Sequence, residues 1–391
     1  TLGNTNAAAT SLTFSVDNTP PTAYSITHGI TGPTAATQVT FTVLFSEAVI
    51  HFNDDLDFDE TGTVVHTGTQ VSPATGPAAT YSVKVTGIDG NGTLALAVST
   101  AGDIVDRAGN ALADSVWCIP ITIDQTALSV LDIAPNTAGP EWWTEPGVLM
   151  TRADAIELVV QFSTDVTAFD PSDLNVITTG TVLVANTPVI APMVEFEDTY
   201  TVTLSGITGD GMLQLGFVMP SDIHDLPGNL LTGGILVSDP AIQIDNTGPV
   251  VSAITPETLG PTMEVSLDFA VAFSEAVLNF DDHDVLITET GDVLHTNTQI
   301  LPAVGPADAY TVTFNGITGD GTMKMSVSLY HDIVDRVGNP LAATLESAEV
   351  TIVRDLIQPK CLAITALTPS PTNLDEIEYR VRFSEDRKSV V

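Results

Sequence analysis

The sequence predicts an all-β protein built from similar two-sheet sandwiches joined head to tail. Three observations carry that expectation. Hydrophobic residues make up 43% of the 391, charged residues only 15% and aromatics 6%, with 29 Gly and 24 Pro among many Thr and Val. That mixture suits short strands and turns better than long helices. Apolar residues alternate along short runs, and a helical stripe held over three turns is hard to find. Finally, the stretch DIVDRAGN at 103–110 returns as DIHDLPGN at 222–229 and as DIVDRVGN at 332–339.

Around that stretch the repeat holds its register. Tyr81, Tyr200 and Tyr310 each precede the motif's Asn by 29 residues, and YSVKVTGIDGNG, YTVTLSGITGDG and YTVTFNGITGDG follow them without a gap. Agreement of spacing and letters over this length marks internal repeats. Units are expected at 18–124, 125–245 and 246–355. Residues 1–17 read as the tail of a preceding unit, and 356–385 as the start of a following one. Residues 386–391, DRKSVV, leave the repeat's pattern and are read as a non-native tail.

Each unit's strands can be placed in chain order. AYSITHG opens the first unit. QVTFTVLF (38–45) alternates Val39, Phe41, Val43 and Phe45 on one face, as a half-buried strand does. One or two strands follow, then YSVKVTGI with Tyr81, Val83 and Val85 inward. The Gly-rich DGNG turns the chain into TLALAV, and SVWCIPITID closes the unit. About seven strands in about 110 residues is the pattern of an immunoglobulin-like sandwich. With an odd strand count, the termini leave at opposite ends and units string like beads.

VDNTPPT, VTFTVLFSEAV, YSVKVTGIDGNGTLALAV and DIVDRAGNAL resemble the bacterial immunoglobulin-like (Big-type) repeats of large secreted and surface proteins, including adhesins. The resemblance spans nearly the whole chain. It implies an extracellular or cell-surface segment with a structural or adhesive role, and the motifs specify fold better than function.

The charge balance, 49 acids against 11 bases for a net −38, excludes nucleic acid and anionic membranes as partners and favours cations. No run of 18 apolar residues is present, so membrane insertion of this segment is not expected. Cys118 and Cys361 fall in different repeats, offer no disulfide framework and are expected as buried small hydrophobes.

The topology gathers acids at each junction: the linker Asp, the Glu of FSE, and the two acids of the motif, with the Gly-rich turn of the preceding unit facing them. The sets are Asp17, Glu47, Asp103 and Asp106; then Asp124, Asp222 and Asp225; then Asp245, Glu275, Asp332 and Asp335, with Asp210 from the unit before; and finally Asp355 and Glu385 with Asp320. Four or five carboxylates repel without a counter-ion, and Ca²⁺, which takes six to eight oxygens, answers the excess better than Mg²⁺. The resemblance implies the same, since family members hold calcium at inter-repeat linkers. The alternative is turn chemistry alone, the Asp capping the loop and Gly-Asn supplying a positive-φ turn. Thr164 replaces the FSE Glu in the second unit, so a site there is expected to bind more weakly.

Other constellations carry less. DDLDFDETG (54–62) has Glu60 and His66 where a calcium-binding helix–loop–helix needs Gly and Glu, so Asp55, Asp57 and Asp59 read as the solvated face of a strand. His66 and His295 hold one position in two repeats, which indicates a fold role. No nucleophile elbow or metal-spaced His/Cys cluster supports catalysis, and no enzyme is expected. The second unit carries about ten extra residues within NTAGPEWWTEPGVLM. Trp142 and Trp143 there are expected to pack into the junction with the third unit, or to stack on sugar rings as a glycan- or ligand-binding module. An accessory region of a secreted enzyme is the remaining alternative.

Overall fold

The structure, a computed structural model, describes residues 12–52, 56–137, 142–145, 147–193, 196–330, 332–354 and 359–384. In the first unit the strands are β1 (Ala23–His28), β2 (Gln38–Ile50), β3 (Leu56–Glu60), β4 (Gly68–Ser72), β5 (Ala78–Thr86), β6 (Gly92–Val98), β7 (Val105–Asp106), β8 (Val116–Trp117) and β9 (Ile121–Ile123). One sheet runs β1-β2-β5-β4, and the facing sheet joins β3, β6, β8 and β9. This is the ABED/CFG arrangement of an immunoglobulin-like sandwich. The DIVDRAGN stretch is the loop between the sixth and seventh strands of that scheme.

The period-2 pattern decides what lies between the sheets. Phe41, Val43 and Phe45 of β2 and Tyr81, Val83 and Val85 of β5 are buried, while Thr40, Thr42 and Leu44 face out. Leu94, Leu96 and Val98 of β6 meet them from the opposite sheet. Equivalent clusters form among residues 128–244 and 251–352, so the described residues form three separate cores.

The second unit repeats the plan, with Ala155–Thr167 between Leu128–Pro135 and Glu197–Ser205, and Val189–Ala191 at the edge. Its extra residues form an added hairpin, Trp142–Glu145 against Val148–Thr151, which joins Ile242–Ile244 in parallel. The third unit pairs Ser266–Val277 with Val251–Pro256 and Ala307–Asn315. Residues 361–383 contribute one antiparallel pair, Cys361–Ala366 with Tyr379–Phe383.

Two expectations need correcting. Cys118 is buried, but Cys361 is exposed, because the strand pair carrying it has no facing sheet among the described residues. Trp142 packs against the core of its own unit, through the added hairpin. The insertion extends a sheet edge, and that gives its apolar residues a nearer surface to cover.

Candidate functional site

Each second strand breaks register near its end. The ladder with the fifth strand shifts between Leu44 and Val49, between Gln161 and Val166, and between Ala272 and Val277. The FSE and FST letters sit inside this bulge, where residues leave the regular pairing and can be re-aimed. The repeated Tyr spans it: Tyr81, Tyr200 and Tyr310 donate to the carbonyls of Val49 (2.8 Å), Val166 (3.1 Å) and Val277 (3.0 Å). The Ser of the motif ties the bulge to the incoming chain. Ser46, Ser163 and Ser274 accept from the backbone N–H groups of Thr22, Ser129 and Val250 at 2.9, 3.1 and 3.0 Å.

The bulge turns Glu47 and Glu275 toward the linker. One carboxylate oxygen from each of Asp17, Glu47 and Asp106 lies within 4.8 Å of the others, and the same holds for Asp245, Glu275 and Asp335. In the second unit, Asp124 and Asp225 occupy the matching places but Thr164 brings no carboxylate.

The second acid of each motif is held by its own loop. Asp335 is buried and accepts from the N–H groups of Val337 (2.8 Å) and Asn339 (2.9 Å), and from Asn339 Nδ2 (2.8 Å). Asp106 has the same donors in Ala108 and Asn110. Burial works against its charge, but those hydrogen bonds, led by Asn110, hold its carboxyl below the usual range. The Asn side chain then reaches across to the linker. Asn110, Asn229 and Asn339 donate to the carbonyls of Asp17, Asp124 and Asp245 at 3.1, 3.1 and 2.9 Å. The repeated Asp-x-x-Gly-Asn is therefore a clamp between loop and linker, and its Gly109, Gly228 and Gly338 all have φ of 91–97°, the region that favours glycine.

The first acid of each motif stays outside these groups. Asp103 lies beside His51, with Nδ1–Oδ2 at 3.5 Å. The carbonyl of Asp222 meets His224 Nδ1 at 2.8 Å, and that of Asp332 accepts from Asn279 at 3.1 Å. The Gly-rich turn grips the next linker instead. Asp210 accepts from Asn246 N–H (2.7 Å) and from the Thr247 hydroxyl (2.6 Å), and Asn91 Oδ1 accepts from Gln125 N–H (2.6 Å). Asp320 accepts from Arg354 N–H. Val353 takes the backbone place of Asp124 and Asp245, donating to Thr262 as those donate to Thr34 and Thr151. Asp355 and Glu385 lie outside the described residues.

The crowding shows in the protonation of these groups. Burial, then the charges of Asp245, Asp335 and Asp210, push the Glu275 carboxyl up to about 7, against a smaller opposing pull from Arg336. Glu47 moves the same way, through desolvation and then Asp17 and Asp106, and burial also raises Asp245. The like charges crowded into such a group are what a hard divalent cation would offset, at the cost of displacing the carboxyl's proton.

Sequence reasoning missed the Ser hydroxyls and the His–Glu pairs. His66 and His295 meet Glu60 and Glu289 at 2.6 and 2.7 Å, and in the second unit both partners change together, to Val184 and Thr178. That joint replacement was the available signal. Asp57 and Asp59 are exposed on β3, while Leu56 and Phe58 are half-buried against the core.

No protein-family model matches the chain, and no curated protein matches it. Among solved structures, it aligns with surface layer protein SbsC, domains 4–9, at 15% identity over 88% of this chain and 49% of that one, with a TM-score of 0.23. SbsC domains 1–6 align at 12% identity over 93% and 57%, with a TM-score of 0.21. The S-layer protein rSbsC aligns at 12% over 93% and 63%, with a TM-score of 0.20. The chain thus spans about half to just under two thirds of each. Superpositions this loose carry no argument, and the fold rests on the chain's own sheets and cores. Among the described residues, no helix is long and apolar enough to cross a membrane.

Proposed function

We propose that this chain is a non-catalytic, structural segment of an extracellular bacterial surface protein, in which Ca²⁺ bound at the junctions fixes each unit against its linker. The observation that carries this reading is the group Asp245, Glu275 and Asp335, drawn together by a bulge and a clamped loop, with Glu275 pushed up to about 7. Asp335 is already engaged by its loop, so it serves as a pre-oriented ligand, and Glu275 is the group that a cation would release from its proton. Linker carbonyls, Asp210 and water are the other oxygens at hand. An open site of this kind belongs to the extracellular range of about 10⁻⁴ to 10⁻³ M. The repeated position of the group in a first and a third unit suits a mechanical role better than a single reaction centre.

Small-angle X-ray scattering of the chain in millimolar Ca²⁺ and in EDTA tests this. The expected result is a narrower distribution of dimensions with Ca²⁺, lost in Glu275→Gln and retained in Asp332→Ala, whose carboxylate lies outside the group. Identical profiles in both media, with no Ca²⁺ binding by calorimetry, would leave the acids as loop and surface chemistry.

A further inference from the structure

The second unit departs from its neighbours on the side where the first acid of the motif lies. In the first and third units, Gly76-Pro77 and Gly305-Pro306 close the chain over the repeated Tyr. A Cβ on Gly76 would stand 2.6 Å from both Tyr81 Oη and the Val49 carbonyl oxygen, and one on Gly305 would stand 2.5 Å from the Val277 carbonyl oxygen. That seat accepts only glycine. The second unit has Glu195-Phe196 at these positions in the sequence, and Glu195 lies outside the described residues. Phe196, at φ 63°, instead donates its N–H to the Val166 carbonyl.

Beside Tyr200 a cavity of about 630 Å³ opens, against about 300 Å³ for the matching hollow at Phe280 and Asp332 in the third unit. Half-buried Phe169 forms its floor, edge-on to the buried ring of Tyr200 with centroids 5.1 Å apart at 73°, and Pro171, Val189, Pro192 and Met193 line it. Asp170 and Asp222 also line it. Asp170 accepts from the Ser172 hydroxyl (2.6 Å) and N–H (2.7 Å), and those bonds hold it in the charged form. Asp173, buried just behind, feels the charge of both.

We propose that this cavity is a binding site for a small amphipathic cation, an aromatic or branched aliphatic amine whose apolar body rests on Phe169, Val189 and Pro192 and whose ammonium faces Asp170 and Asp222. The volume lies within the range of small-ligand sites, and an aromatic face beside two carboxylates favours a cation over a neutral or anionic body of equal size. It also gives Asp222 a use that the linker clamp does not.

The test is a methyl-NMR titration of the full chain with phenethylammonium, 2-phenylethanol and phenylacetate, reading Val189, Ile190 and Met193. Phenethylammonium should shift these methyls and bind roughly two- to five-fold more tightly than the alcohol, with phenylacetate weakest. Asp222→Asn, at an exposed position, should reduce the preference for the amine and leave the alcohol unchanged. Val189→Trp should block all three while the methyl spectrum of the other two units stays the same. Equal binding of amine and alcohol, tighter binding of phenylacetate, or shifts confined to other methyls would each overturn the assignment.

Discussion

A carboxyl that keeps its proton near neutrality makes the junction sensitive to pH in a direction that can be worked out. Glu275 titrates near its ordinary 4.5 when unfolded and at about 7 when folded. Between those values the folded chain holds more protons, so the stability of the third unit falls as pH rises through that window. Above it, the full cost of ionising Glu275 beside Asp245 and Asp335 is present. In cation-free buffer, urea denaturation should show this decline from pH 5 to 8, and Glu275→Gln should flatten it. A decline unchanged in the variant would place its origin elsewhere. The residue types at this site were legible in the sequence, since the repeated spacing and the sandwich topology it implied brought the linker Asp and the FSE Glu to one end of the unit. The split between the motif's two acids was not, because it depends on which side of a short loop each faces.

At the scale of the strand, the period-2 pattern carries most of the fold, and it was readable because the inward positions of the second and fifth strands are large and apolar. Phe269 is fully buried in the middle of Ser266–Val277, edge-on to Phe314 at 5.5 Å. Its truncation to Ala should destabilise the third unit by about 3–5 kcal/mol. Calorimetry should show one transition moved and the others in place, since the three cores are separate. Coincident shifts of all transitions would contradict that separation. The bulge at FSE was not legible, because nothing in FSEAV distinguishes a regular strand end from one whose register slips. Its signal lay in the Tyr, whose hydroxyl needs a partner once buried. The added hairpin was misread for a related reason. An insertion's length is visible in sequence, but the sheet edge it joins is set by partners far along the chain.

Across the whole molecule, unit joins unit through polar contacts on the linker and, between the first two, through the Ala35 N–H, which donates to the Pro227 carbonyl at 2.8 Å. Asn339 is the best placed to test, since it holds both Asp335 and the Asp245 carbonyl. Asn339→Ala should destabilise the third unit by about 1–3 kcal/mol and speed hydrogen exchange at the Asp245 and Thr247 amides, while the first unit is unaffected. Unchanged exchange would mean the clamp does not restrain the linker. The clamp also has a direction in time. Asn110, Asn229 and Asn339 lie 93, 105 and 94 residues after the linker carbonyls they hold. A chain emerging N-terminus first would therefore finish a unit's sheets, extend through a linker that the finished unit's Gly-rich turn already grips, and leave the second hold, from the Asn, open until most of the next unit had appeared. Assembly would advance like a ratchet, with one half-latched joint always trailing just behind the growing end.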